Sequence, residues 1–257
     1  MGERNTTQIL ETIRPKFRQI VEDGGLLDSD VTVLATPLTP EEAIGTPGRR
    51  DFPIIIGKER ILEASVQGSR GHAFTDSARE FMGQLKDVLE LKLDSNQSRA
   101  IYVATLNAVL AHLKMVTGTV HCKDDDPEIC ARDISNYLLE NYGDTTVGLI
   151  GLNPAIAERM VDTFGPTRVF ISDLYEANIG QTRFGVEVWD GRTRTEDLID
   201  ACQVVVFTGS TLLNDTFDRI LGCIQSCGKQ YLVFGVTAAG VCELAGLNRI
   251  CPCGQDG

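Results

Sequence analysis

Thr146-Val147-Gly148-Leu149-Ile150-Gly151-Leu152-Asn153-Pro154 is the stretch that decides the fold. A short apolar run ends in a glycine turn, and a helical segment follows over 154–164. The same alternation continues to the end of the chain. Strand-like runs fall at 146–150, 169–172, 186–189, 204–207 and 231–235, with helical runs at 154–164, 196–201 and 213–227. Short segments rich in Val, Ile and Phe, joined by helical crossovers, specify a mostly parallel sheet covered on both faces.

Upstream of residue 144 the pattern changes. Ile9, Ile13, Phe17 and Val21 form a helical stripe despite Pro15. Val31, Val33 and Ala35 alternate as a strand. Pro53-Ile54-Ile55-Ile56 and 61–66 flank Gly57-Lys58-Glu59-Arg60, which predicts a hairpin with a four-residue turn. Helical stripes recur over about 76–91 and 98–116. A last helix starts at Asp126-Pro127 and stops at Gly143. The division is therefore a small α+β domain over 1–144 and an α/β domain over 145–257.

The chain has 257 residues, enough for a sizeable core. Its net charge of −12 disfavours nucleic acid and anionic membrane surfaces, both of which reward a basic face. The sequence shows no run long enough for a membrane span and no secretion signal at Met1, so a soluble cytoplasmic protein is expected. The three histidines, His72, His112 and His121, leave little for a Ser-His-Asp hydrolase. His112 reads as a core residue and His72 as part of a turning loop over 68–76. Lys229 is the sole lysine after residue 144, and its position between a helix and a strand argues against pyridoxal phosphate.

Open α/β sheets bind ligands at the carboxyl ends of their strands. Those ends carry Gly151 and Asn153, then Asp173, then Thr208-Gly209-Ser210-Thr211 with Asn214, and finally Thr237. Glycines and hydroxyls at helix starts suit an anion or a phosphate. The order of strand, glycine, helix, strand and acid imitates a dinucleotide fold, but the G-x-G-x-x-G fingerprint is missing. Ordinary tight turns, a small-ligand crevice and a dinucleotide site all remain open at this point.

Eight cysteines are many for a chain without a recognised export signal. His121-Cys122-Lys123-Asp124-Asp125-Asp126-Pro127-Glu128-Ile129-Cys130 gathers one imidazole, two thiols and several acids. It can hold a soft metal through His121, Cys122 and also Cys130, or it can be a solvated cap with Cys130 on a core stripe. Cys202, Cys223, Cys227 and Cys242 read as core. Cys251 and Cys253, around Pro252 in a polar tail, read as metal or redox ligands.

Taken together, the chain resembles a prokaryotic heavy-metal chelation family of unknown function. The residues that carry the resemblance are Arg99-Ala100, Ala104 and Asn107-Ala108, then His121-Cys122 and Asp126-Pro127. Further on they are 148–154, Asp173 and above all Thr208-Gly209-Ser210-Thr211-Leu212-Leu213-Asn214-Asp215-Thr216. The resemblance implies an enolase-N-like α+β domain followed by a Rossmann-like domain. It also implies a metal-related role, in metal uptake or anaerobic cobalamin metabolism, and it brings no catalytic residues.

The expected function is binding of a heavy metal or metal complex, with a crevice at the strand ends of the second domain. An enzyme or sensor for a nucleotide or phosphorylated metabolite is the alternative. A metal ion is the expected cofactor, and small molecules and a second copy of the chain are the expected partners.

Overall fold

Antiparallel pairing organises the first half of the chain and parallel pairing the second, in a computed structural model that describes residues 8–27 and 32–257. The first sheet has the order β3-β2-β1-β4, from β1 (Thr32–Pro37), β2 (Arg60–Val66), β3 (Ser69–Thr75) and β4 (Phe81–Gln84). The helices of this half are α1 (Gln8–Asp23), α2 (Pro40–Ile44), α3 (Leu85–Leu89), α4 (Asn96–His112) and α5 (Asp126–Tyr142).

The second sheet has seven strands in the order β11-β10-β9-β5-β6-β8-β7. They are β5 (Val147–Ile150), β6 (Val169–Asp173), β7 (Thr182–Arg183), β8 (Val186–Asp190), β9 (Val204–Thr208), β10 (Gln230–Phe234) and β11 (Arg249–Ile250). Only the short β7–β8 pair runs antiparallel. Helices α6 (Pro154–Phe164), α7 (Thr195–Ala201), α8 (Phe217–Ser226) and α9 (Ala239–Ala245) supply the connections. The chain moves outward from β5 through β6 to β8, then returns to the other side of β5 to lay down β9, β10 and β11. The direction of winding therefore reverses between β5 and β9, where ligand crevices of such sheets form.

Local sequence explains these elements. Asn153 caps α6, its side chain accepting from the amides of Ala155 and Ile156, with Pro154 at the first helical position. Gly143 ends α5 with φ +69°, conformational space that costs an L side chain energy.

Helix α4 joins the two sheets. Every residue from Arg99 to Leu110 is buried, so it has no solvent face. It lies so close to β3 that a Cβ on Gly71 would stand 2.3 Å from the Ala104 carbonyl oxygen. On its other side it meets α9, where Leu106 fills the space a side chain on Gly240 would need. Asn107 binds both neighbours: its Nδ2 donates to the carbonyls of His72, Val236 and Thr237, and its Oδ1 accepts from the Gly240 amide. Arg99 adds bonds to the carbonyls of Leu93 and Leu213. One apolar cluster consequently runs from Leu62 and Ala64 of the first sheet to Val205 and Phe207 of the second.

Several expectations for the first half are corrected. The hairpin is β2–β3, turning at Gln67-Gly68, whereas 53–56 is a turn whose Pro53 carbonyl accepts from Lys58 and Glu59. The segment read as a loop around His72 is β3, and His72 is buried in it. The helix expected over 76–91 is strand β4 followed by the short α3. Its apolar spacing fits both periods over so few residues, and pairing of β4 with β1 decides between them. Val31 lies outside the described residues. In the second half, α8 starts at Phe217 after a 3₁₀ turn over Gly209–Leu212, and α9, β7 and β11 come in addition. Cys227 is exposed rather than core, while Cys202 and Cys242 are buried. No helix among the described residues is long and apolar enough to cross a membrane.

Candidate functional site

A cavity of about 560 Å³ opens where the winding reverses. Its floor is the carboxyl ends of β5, β6, β9 and β10, and the first half of the chain roofs it with residues 52–54, 56–59 and 74–76. Of the nine residues expected to form a crevice, Gly151, Asn153, Asp173, Thr208, Ser210, Thr211, Asn214 and Thr237 all line it. Gly209 does not. A Cβ there would stand 2.8 Å from the Ala238 amide nitrogen, so Gly209 lets the two 3₁₀ turns touch. Gly151 has φ +87°, and a side chain on it would meet the Thr208 methyl group at 2.5 Å.

The strand-end side is wired by short polar contacts. Thr208 Oγ1 lies 3.0 Å from Ser210 Oγ and accepts from the Ser210 amide. Thr211 Oγ1 donates to the Thr208 carbonyl at 2.6 Å, and Thr216 Oγ1 to Asn214 Oδ1 at 2.6 Å. Thr237 Oγ1 accepts from the Phe74 amide and so ties the floor to β3. Asp173 is buried and receives Lys58 Nζ at 2.8 Å, the amides of Leu174 and Tyr175, and Asn178 Nδ2. Next to it, Ser172 Oγ is fully buried and has no hydrogen-bond partner.

Residues outside the sequence-based set complete this wall. Lys58, Arg192 and Arg219 bring positive charge, and Glu59 brings a carboxyl. Burial, with Asp173 and Asp76 nearby, raises the Glu59 pKa to about 6 against the opposing charge of Lys58. Lys58 and Glu59 belong to a turn far from the second sheet in sequence, and no local pattern around them signals a site.

Another part of the lining carries sulfur. His121, Cys122, Cys130 and Cys251 line the cavity, and Cys253 lies beside them. Cys130 lies close enough to Cys251 and Cys253 for the three thiols to influence one another's titration. Cys122 lies within electrostatic reach of Cys251 and Cys253. The tail that carries the last two is held in place rather than loose: Val120 pairs with Gln255, and the Gly118 amide donates to Asp256.

His121 is turned to other work. Its Nδ1 donates to the Cys122 carbonyl, its ring sits edge-on to Phe74 at 5.0 Å, and burial lowers its pKa to about 4. Its backbone amide donates to His72 Nδ1, so His72 must carry its proton on Nε2, which donates to Glu63 at 2.8 Å. The soft donors would suit a thiophilic metal. As they are placed, however, no group of three or more His, Cys, Asp or Glu among the described residues can hold a metal ion. Of the expected set, His121, Cys122 and Cys251 are brought to one part of the cavity lining, with Cys253 close by.

Fold and site define a two-sheet α/β protein with a ligand-sized cavity at the topological switch point. Residues 133–245 match the model of the family described as "Putative heavy-metal chelation", so the resemblance read from the sequence holds over that span. A solved protein of unknown function from the same family, from Pyrococcus horikoshii, superposes with a TM-score of 0.51 at 15% identity. That match covers 90% of this chain and 80% of the other. A second, from Desulfitobacterium hafniense, gives 0.50 at 13% identity, covering 92% and 83%. At these identities the likeness establishes the fold. No curated protein matches the chain.

Proposed function

We propose that the protein binds a small anionic ligand, carried as a metal complex, in the cavity between its two sheets. The observation that carries this reading is the position and lining of the cavity. It lies at the switch point, with glycine and hydroxyl turns on one side and Lys58, Arg192 and Arg219 around it. The family description supports the metal. The unpartnered Ser172 hydroxyl supports a ligand group that hydrogen-bonds there, because a buried hydroxyl left unpaired costs about 1–3 kcal/mol.

In this reading Gly151, Thr208, Ser210, Thr211, Asn214 and Thr237 surround the anionic group. Asp173 holds Lys58 in position, and Asn153 fixes the start of α6. The described residues of the first half act as the roof and 145–257 as the floor. The test is elemental analysis of untagged protein purified without oxygen, followed by a thermal-shift screen of nucleotides, phosphorylated metabolites and their metal complexes. A ligand whose stabilisation disappears in both Ser210→Val and Arg219→Met would support the reading. A ligand that stabilises both variants as it does the parent would place binding elsewhere.

A further inference from the structure

Asp173 and Glu59 both border the cavity, and their bonding is opposite. Asp173 stands at a strand end, where a doubly wound sheet presents an acid to its ligand. Its oxygens are already taken by the protein. Oδ1 receives Lys58 Nζ and the amides of Leu174 and Tyr175, and Oδ2 receives Lys58 Nζ and Asn178 Nδ2. Glu59 is the reverse case. Its backbone amide donates to the Pro53 carbonyl and fixes the turn, but its carboxylate enters no hydrogen bond or ion pair among the described residues. The acid that the strand-end rule singles out is therefore filled, and the acid with acceptors to spare is on the roof. We infer that Glu59 is the specificity-determining residue of the cavity, and that the ligand is an anion carrying a hydrogen-bond donor, hydroxyl or ammonium, which Glu59 receives. The inference deepens the anionic-ligand reading and rests on it.

An ionised carboxylate can only accept, so its donor has to come from a partner outside the chain. Lys58 does not fill the role, because its ammonium is held by both oxygens of Asp173 and lies 5.1 Å from the centre of the Tyr175 ring. Asp76 lines the same cavity, but it is exposed and accepts from Asn96 Nδ2. On the floor, the buried and unpartnered Ser172 hydroxyl can donate to the same ligand or accept from it. A plain anion under this roof would meet only the repulsion of Glu59. An anion with a donor satisfies the carboxylate, and a site built to bond a donor rejects the analogue that lacks it.

The acceptor forms as the Glu59 carboxyl ionises. Burial raises its pKa to about 6, with Lys58 opposing and Asp173 and Asp76 assisting, so selectivity for a donor should rise with pH through that value.

The test is calorimetric titration of the full-length chain with three phosphate monoesters, from about pH 5 to about pH 8, in EDTA and again with Zn²⁺. Ribose 5-phosphate offers hydroxyls, 5-aminopentyl phosphate offers an ammonium, and pentyl phosphate offers neither. At least one donor-bearing ester should bind about tenfold or more tightly than pentyl phosphate, and the two arms show which donor is read. That ratio should increase with pH about a midpoint near 6, since the ionisation of the phosphate is shared by the three esters and cancels. Glu59→Ala should abolish the preference. Glu59→Gln, which keeps one acceptor, should retain part of it without the pH dependence. Neither variant should melt below the parent, because the carboxylate bonds nothing in the protein.

Equal affinity for the three esters, or a preference that survives Glu59→Ala, would overturn the inference and leave the anionic reading standing. Failure of all three to bind, with Zn²⁺ and without it, would overturn both.

Discussion

The two walls of the cavity offer a ligand opposite chemistries. On the strand-end side, hydroxyls, amides and cations are locked to one another by contacts such as Thr211 to Thr208 and Lys58 to Asp173. Elsewhere in the lining, Cys122, Cys130 and Cys251 are brought together with the help of the pinned tail. The strand-end residues are held by bonds within their own turns, whereas the thiols are gathered by a tail that is fixed from outside the sheet.

This contrast can be broken most severely where both walls hang from the same residue. Asn107→Ala would leave the Gly240 amide and three carbonyls short of a partner in the core. We expect a loss of about 3 kcal/mol in urea unfolding, with both walls affected. An unchanged midpoint would show that α4 does not tie the sheets together energetically.

Lys58→Met acts on one wall alone. It removes the cation facing a carboxylate that is 4% exposed. The three remaining N–H donors to Asp173 limit the damage, so a loss of about 2 kcal/mol in urea unfolding is expected. An unchanged urea midpoint would show that the other donors to Asp173 suffice without the ammonium.

His121 gives a pH-dependent handle on the sulfur side. Its folded-state pKa of about 4 lies below the ordinary 6.5, so the neutral form is the one the fold prefers. Its contribution is complete above about 6.5 and is lost as pH falls toward 4. It changes by no more than about 1.4 kcal/mol per pH unit. Glu59, raised to about 6, opposes this trend in the chain and in any His121 variant alike. The slope of stability against pH over that window should therefore be less positive in His121→Gln than in the parent. Equal slopes would show that the imidazole is hydrated.

The smallest effect belongs to Ser172→Ala. Removing an unpartnered buried hydroxyl should leave the ligand-free protein unchanged or stabilise it by up to about 1 kcal/mol, while weakening the anionic ligand found in the screen. Clear destabilisation would mean that the hydroxyl already has a partner in solution.

The strand-end wall was legible because its residues follow a local rule: each strand delivers its last residues to the crevice, and Gly151, Asp173 and Thr208 stand at such ends. Gly209 obeyed the same rule yet serves the contact with Ala238, a distinction only packing reveals. The sulfur wall draws on residues 122, 130, 251 and 253, and nothing local to Cys130 separates a core thiol from a functional one. In the first half, short segments with mixed periodicity, such as 76–91, took their form from tertiary pairing, which propensity does not encode. The roof residues Lys58 and Glu59 were invisible for the same reason.

Helix α4 has a consequence for how the chain comes apart. A helix with no solvent face cannot stay with one sheet and leave the other without exposing a dozen residues at once. Partial opening of the kind that frees one domain of a tandem protein is thereby penalised, and the α4 amides should exchange with solvent only in global unfolding. The cavity, although it lies between two sheets, is then reached through its mouth and not by a hinge.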